Sequence, residues 1–309
     1  MRALLVTNPA ATTTSSRMHD VIVSALRGAR GIELEVVTTT GPGAAKDLGI
    51  RAREEGFGVV MTFGGDGTVH EVVNGLLAAG PGPDVPALAP VPGGSANVLT
   101  RALGLMNDPI EATGQVLEAL ATGRSRTIGL GRANDEWFTV NAGLGLDAEI
   151  IHAMEDLRAK GRSASPLRYL TTTLSQFLKS DRKSPRLTLT TEAGRSVRGI
   201  YLVIVQNTTP WTYLGPLAVS ASPRASFDLG LDAWCAQNLS TAQTLTMAAQ
   251  MLRPTPMTSR DGRSQLVHDS TGFTITASSP VPWQIDGEAR PAESSVHFSS
   301  VARALRVIV

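Results

Sequence analysis

The sequence predicts a two-domain α/β protein: an N-terminal doubly wound parallel-sheet domain, then a mainly antiparallel β-sandwich domain. Three observations predict it. Up to about Arg124, short apolar runs alternate with amphipathic helical stretches. Beyond Arg124 the hydrophobic period shortens to that of strands. Two glycine-rich loops follow buried strands in the first half, where open α/β sheets bind ligands.

Ala3–Thr7 reads as the first strand, and Ser15–Ala29 as a helix with Met18, Val21, Ile22 and Ala25 on its apolar side. Glu33–Thr39 is the second strand and Ala44–Glu55 the second helix. Gly58–Phe63 is a continuous apolar run of the kind buried on both faces of a parallel sheet. Val69–Ala79 follows as a helix, Ala87–Val91 as a buried strand and Ala96–Leu103 as a helix, and Pro109–Ala121 closes the series. In the second half Thr127–Leu130, Trp137–Asn141, Arg186–Thr191, Arg198–Gln206, Leu231–Ala236, Gly272–Ala277 and Val281–Ile285 read as strands. The segment RLTLTTEAGRSVRGIYLVIV folds as a hairpin about its Ala-Gly turn. Only Pro166–Lys179 and Ser240–Leu252 read as helices there. Arg303–Val309 returns as a strand or packed tail. The expected domains are therefore 1–125, rejoined by 300–309, and 126–299.

The composition narrows the function. Across 309 residues, 28 basic side chains face 27 acidic ones, a net charge of +1 that gives no reason to expect nucleic acid. The single cysteine, Cys235, lies in the apolar run LDAWC and reads as a packed thiol in a reducing cytoplasm. His19, His70, His152, His268 and His297 are scattered, without metal-ligand spacing. The N-terminus enters a polar segment too soon for a signal peptide. The apolar stretch around Gly199–Val205 is far short of the roughly 20 residues that span a bilayer. Any membrane contact is expected to be peripheral.

The strongest motif is GVVMTFGGDGTVHEVVNGL, Gly58 to Leu76. A buried strand runs into Gly64-Gly65-Asp66-Gly67-Thr68, and a helix follows. Glycines permit positive φ and a close backbone approach to a ligand. The helix N-terminus adds free N–H donors and a partial positive charge suited to phosphate. The rival reading is a strand-to-helix turn whose glycines only relieve sterics. One βα unit later, PVPGGSAN places Gly93-Gly94 before Ser95 and Asn97, with Ser95 also suited to an N-cap.

GGDGT followed by PGGSAN resembles the diacylglycerol kinase catalytic domain shared by bacterial lipid kinases and sphingosine kinases. The resemblance runs over nearly the whole chain and implies an α/β nucleotide domain joined to a lipid-binding β-sandwich. Asn8-Pro9 is similar to that family's Asn-Pro element, and Thr38, Thr39 and Thr40 to its nucleotide-contacting threonine site. NAGLGLDAEI (Asn141 to Ile150) resembles the entry to the second domain, and QIDGEAR (Gln284 to Arg290) resembles the catalytic Asp-Gly-Glu. The resemblance implies ATP and Mg²⁺, bound by Asn8, Pro9, Thr39, Thr40, Gly64, Gly65, Asp66, Gly67, Thr68, Glu71, Gly94, Ser95 and Asn97. It implies a lipid acceptor met at the inner face of the membrane, leaves room for a homodimer, and names diacylglycerol first and sphingoid bases next.

Departures are visible. NPAATTTSS lacks the family's small glycine-containing continuation, Ser95 replaces a commoner threonine, and Val98 stands where an acid often follows the asparagine. SPRASFDLGLD lacks the adjacent Asp-Asp pair of the regulatory metal site, so only Asp228 is carried over as a ligand.

Phosphoryl transfer needs neutralised phosphates, an aligned acceptor and a base for its proton. Asp66 is the expected Mg²⁺ ligand. The resemblance assigns the base to Glu288, with Asp286 as its partner, because residues two apart on a strand share a side and can face an interdomain cleft. Gly143, Gly145 and Asp147 lack the order of a dinucleotide motif. The loop NTTPWTYLGPL, with Trp211, Tyr213 and Leu214, reads either as folded onto the sandwich or as a lipid contact. NAD kinases share a GGDGT-type loop, but PGGSAN and QIDGEAR are not expected of them. A nucleotide-binding regulator without catalysis need not retain a base such as Glu288.

Overall fold

The computed structural model describes residues 1–11, 15–145, 186–238, 240–252 and 264–309. The helix expected at Pro166–Lys179, and Asp147 with the rest of NAGLGLDAEI after Gly145, lie outside them. The chain forms two compact units, Met1–Leu130 with Ala302–Val309, and Gly131–Val301.

In the first unit, β1 (Arg2–Thr7), β2 (Glu33–Thr38), β3 (Val59–Gly64) and β4 (Ala87–Pro92) are parallel, in the order β2–β1–β3–β4. The returning tail lies beside β4, with Val307 opposite Leu88 and the Ile308 N–H donating to the Leu88 carbonyl at 2.8 Å. β3 and β4 are buried at every residue, as continuous apolar runs require. The helices are α1 (Ser16–Gly28), α2 (Ala44–Glu54), α3 (Asp66–Leu76), α4 (Val98–Ala102) and α5 (Pro109–Thr122). α1 and α5 share a core with Ala3, Leu5, Met61, Phe63 and Ala89. Alternate strand residues, Leu4, Val6, Val60 and Leu88, are equally buried on the opposite face, where α2 packs on α3. Gly49 and Gly75 let those two helices meet: a Cβ on Gly49 would lie 2.6 Å from the Val72 carbonyl.

Three local expectations shift. α1 buries Ile22, Val23 and Leu26, while Val21 and Ala25 are exposed. The stripe follows Met18–Ile22–Leu26, one residue round from the predicted face. α3 begins at Asp66 rather than Val69, because an acid in the first turn suits the helix dipole even inside a glycine-rich string. α4 begins only after Asn97, its N-cap, rather than at Ala96.

The second unit holds the rest. Its strands are β5 (Arg126–Ala133, which enters from the first unit), β6 (Glu136–Phe138), β7 (Asn141–Gly145), β8 (Leu187–Thr191), β9 (Ser196–Ile200) and β10 (Leu202–Gln206). They continue with β11 (Thr212–Leu214), β12 (Leu217–Val219), β13 (Leu231–Ala236), β14 (Ser264–Ser270), β15 (Gly272–Ile285) and β16 (Glu288–Val307), the last crossing back to the first unit. α6 is Thr241–Met251. β14, β13, β10, β7 and β15 pair antiparallel in that order. The first half of β15 pairs instead with β8, which pairs with β9 as the predicted hairpin. An irregularity between Thr276 and Val281 lets β15 serve both layers. Leu189, Phe273 and Phe298 from one layer meet Val203, Val205 and Cys235 from the other in one core, so the antiparallel half is a sandwich.

The segment expected as one strand, Arg198–Gln206, breaks at Tyr201, after Gly199 takes φ +71°. Trp137–Asn141 divides between β6 and β7, and Gly272–Ala277 joins Val281–Ile285 as the single β15. β14 was not expected; it is an outer strand whose sequence SQLVHDS carries little apolar alternation.

Candidate active site

β1 lies between β2 and β3, so the chain steps one way from β1 to β2 and then crosses back over β1 to reach β3. Such a reversal opens a crevice beyond the carboxyl ends of the strands. Asn8 spans it. Its N–H donates to the Phe63 carbonyl at 3.0 Å, and its Nδ2 donates to Thr68 Oγ1 at 3.0 Å. Its Oδ1 accepts from the Ala10 N–H at 2.9 Å, turning the chain at the exposed Pro9. On the other side of β1 the Thr7 and Thr38 hydroxyls lie 3.0 Å apart. The Thr39 N–H donates to the Thr7 carbonyl at 2.8 Å, and Thr40 follows, exposed.

The two glycine loops lie backbone to backbone. The Gly93 N–H donates to the Gly64 carbonyl at 2.8 Å. A Cβ on Gly93 would come 2.9 Å from the Gly64 backbone, and one on Gly94 would come 2.7 Å from Gly65 Cα. None of Gly64, Gly65, Gly67, Gly93 and Gly94 has positive φ, so close approach, not a left-handed turn, accounts for glycine at the contacts. The left-handed residue is Asn97, at φ +49°. Its buried amide closes the second loop: Oδ1 accepts from the Gly94 N–H, while Nδ2 donates to the Gly94 carbonyl and to Asn107 Oδ1, all at 2.8 Å. Ser95 stands exposed at the loop's tip.

Gly65 is the N-cap of α3 and brings no side-chain oxygen, so its cover for the first turn is its carbonyl, which accepts from the Thr68 N–H at 3.0 Å. Asp66 opens the helix, and its Oδ1 accepts from the Leu99 N–H of α4 at 3.3 Å. Gly67 and Thr68 complete the first turn. Glu71, one turn on, points elsewhere. Its Oε1 accepts from the Gly43 N–H at 2.9 Å and its Oε2 from the Ala45 N–H at 3.1 Å, so it caps α2, whose N-cap is a glycine.

In the second unit, Asp286-Gly287 is the two-residue turn between β15 and β16, with φ +46° and +84° and Ile285 opposite Glu288. Asp286 is buried, and its Oδ1 accepts from the Val140 N–H at 2.9 Å and the Asn141 N–H at 3.1 Å. Its Oδ2 accepts from the Thr139 N–H at 2.8 Å and the Thr139 hydroxyl at 3.1 Å. Gln284 braces the turn, its Nε2 donating to Asn141 Oδ1 at 2.8 Å and its Oε1 accepting from the Gly287 N–H at 2.9 Å. The strand alternation expected to align Asp286 with Glu288 is replaced by this turn. Asp286 faces inward, and Glu288, the first residue of β16, is part-exposed. Glu288 Oε2 lies 3.5 Å from Arg290 Nη2. Arg290 in turn grips Glu136: its Nε donates to Oε2 at 2.8 Å, and its Nη2 donates to Oε1.

Comparison with known proteins bears on these loops. The family model of the diacylglycerol kinase catalytic domain matches residues 2–133. That match covers less than half of the chain. A diacylglycerol kinase of Bacillus subtilis (strain 168) is 31% identical over 151 residues, covering 49% of this chain and 48% of the relative. One of Staphylococcus aureus (strain JH9) is 34% identical over 108 residues, covering 35% of this chain and 32% of the relative. The chain thus spans about half the length of these curated relatives, or less. A solved structure of a diacylglycerol kinase from Bacillus anthracis str. Sterne superposes with TM-score 0.74 at 19% identity, covering 99% of this chain and 96% of that one. A second structure from that strain gives 0.77 at 22%, with the same coverage. These likenesses carry the two-part fold.

Within the matched residues, Asn8, Thr39, Gly64, Gly65, Asp66, Gly67, Thr68, Gly94, Ser95 and Asn97 all lie at the carboxyl ends of the parallel strands, with Gly64 closing β3 and Asp66, Gly67 and Thr68 opening α3. Glu71 is turned toward α2 instead. Glu288 and Asp286 lie beyond the matched residues. Among the described residues, no three His, Cys, Asp or Glu side chains gather around a metal position. Asp66 offers one carboxylate, which fits Mg²⁺ carried in on nucleotide phosphates, since that ion takes only one or two. Asp228 is exposed, its N–H donating to Ser226 Oγ at 3.3 Å, and a metal there would need main-chain carbonyls for its other ligands.

Sequence reasoning missed Thr7, Asn107, Thr139, Asn207, Glu136 and Arg290. Arg290 alone carried a signal, its spacing of two from Glu288 on a strand. Asn207, which donates to the Thr139 carbonyl at 2.9 Å, has no local mark of its role.

Proposed function

We propose that the chain is an ATP-dependent lipid kinase that transfers the γ-phosphoryl group to a lipid hydroxyl, with diacylglycerol as acceptor and phosphatidic acid as product. The observation that carries this reading is Asn8 bridged to Thr68 at the sheet's reversal point, beside a helix start capped only by glycine. That arrangement suits phosphate oxygens, through N–H donors and the helix dipole. The family match over residues 2–133 supports the same reading.

In this mechanism Asn8, Pro9, Thr39, Thr40, Gly64, Gly65, Gly67, Thr68, Gly94 and Ser95 surround the nucleotide, and Asn97 shapes the second loop. Asp66 would hold Mg²⁺, which when bound supplies positive charge against the phosphates. Glu288 accepts the acceptor's proton. The acceptor oxygen bonds to the γ-phosphorus as the bond to the bridging oxygen breaks, and ADP leaves. Asp286 acts on Glu288 by fixing the turn that carries it.

No helix among the described residues is long and apolar enough to cross a membrane. A lipid acceptor then requires reversible docking, here at the inner face of the membrane from the cytoplasm. Leu214 and Leu217, exposed in the β11–β12 hairpin, are the residues for that contact. Trp211 is less suited, since it packs against the core containing Leu202, Ile204 and Trp234. The test is incubation with labelled ATP, Mg²⁺ and a panel of lipid alcohols, followed by identification of the product. Labelled phosphatidic acid is expected. Label only on a sphingoid base would replace the acceptor, and no lipid-dependent ATP consumption would leave a nucleotide-binding regulator.

A further inference from the structure

Arg290 follows Glu288 by two residues on β16, so both side chains leave the same face of the strand. The Arg290 side chain is the deeper of the two, 18% exposed against 34% for that of Glu288. Its place is set independently of Glu288. Nε and Nη2 fork onto the two oxygens of Glu136 on β6, and Nη1 donates to the Ala289 carbonyl at 2.9 Å. A forked guanidinium–carboxylate pair is directional as well as charged. At 3.5 Å the contact from Arg290 Nη2 to Glu288 Oε2 is long for a hydrogen bond, so it acts chiefly through charge.

We propose that Arg290, anchored by Glu136, is a positioning residue for Glu288 that holds its carboxylate in place and ionised, ready to receive a proton. This rests on Glu288 being the base in the reading above. Among the described residues, the charged groups near Glu288 include Arg290 on its own strand, Glu136 on β6 and Asp286 in the turn. Glu136 shares the guanidinium's charge and so tempers its effect. Asp286 directs its oxygens onto the backbone of Thr139 to Asn141. Arg290 is thus a cationic neighbour of the proposed base, held at 3.5 Å.

The experiment follows the ¹³C carboxyl resonance of Glu288 through a pH titration of the full chain, assigned by its loss in Glu288→Gln. The pH–rate profile is measured in parallel with ATP, Mg²⁺ and a short-chain diacylglycerol in detergent micelles. In Arg290→Gln the titration midpoint should rise by about one pH unit, the low end for losing an adjacent cation. The rate loss should reach about tenfold below the acidic limb and shrink as pH rises. Arg290→Lys, which keeps the charge, should stay close to the unmutated midpoint. Should Arg290→Gln not fold, Glu136→Gln carries the test: the guanidinium's charge is then unshared and the midpoint should fall. An unmoved midpoint in Arg290→Gln, or an unmoved or raised one in Glu136→Gln, overturns the proposal. Full activity in Glu288→Gln overturns the base assignment instead, and the resonance still reports on Arg290.

Discussion

In the first unit two glycine loops lie against each other through their main chains, whereas in the second a single carboxylate gathers the main chain around itself. Asp66 and Asp286 each stand beside a glycine just after a strand, but their surroundings differ. Asp66 accepts a long bond from the Leu99 N–H of the neighbouring helix. Asp286 accepts four, three of them from backbone N–H groups. Four donors on one buried carboxylate fix a turn, and removing it would leave them buried without partners. The first carboxylate opens a helix beside the glycine loops, and the second is part of the fold of its own turn. The sequence pattern Asp-Gly is the same in both, so the contrast comes from what the rest of the chain brings to each.

The sharpest way to break this comparison is to neutralise each acid. Asp66→Asn should nearly abolish turnover while the protein stays folded, since only charge at the phosphates is lost. Ordinary activity at ordinary Mg²⁺ would remove Asp66 from the chemistry. Glu288→Gln should lower kcat by at least about a hundredfold, the lower range for a lost general base, with nucleotide binding by calorimetry nearly unchanged. Asp286→Asn should act mainly on stability. Its amide nitrogen would face donors, costing roughly 2–4 kcal/mol, against about 1 kcal/mol or less for Asp66→Asn. Equal thermal melts for the two variants would mean that the Asp286 network does not hold the turn.

Gly94→Ala sharpens the first half of the comparison. A methyl group 2.7 Å from Gly65 Cα must push the loops apart, so ATP affinity should drop severalfold with little change in melting. The smallest effect concerns Cys235, whose thiol burial pushes up to about 12. It should resist thiol reagents at pH 8 until the protein unfolds, and prompt labelling of the native chain would show the sandwich core to be open.

The parallel half was legible because its signals are local. Gly58–Phe63 announces a buried strand, and GGDGT and PGGSAN announce loops at strand ends. What those glycines are for was not legible, because the reason at Gly93 lies at Gly64, on the neighbouring strand. Glu71 reads as part of the GGDGT helix, and its task appears only when α2 lies against α3. The Asp286 turn is the extreme case: Asp286 and Thr139, which meet at 2.8 Å, are 147 residues apart. No window of sequence contains both. The strand period also misled there, since alternation holds along β15 and β16 but not through the two left-handed residues that join them.

The return of residues 302–309 to the first unit has a consequence for synthesis. β4 is buried at every residue, and the neighbour opposite Leu88 is Val307, translated after the whole second unit. While the second unit is being made, the growing chain carries a nearly finished parallel sheet with one apolar border open. Such a border recruits other chains. Long-lived intermediates of this kind are where chaperones act. The first unit is therefore closed only after the second has been made, and a pause in translation between them exposes it to aggregation.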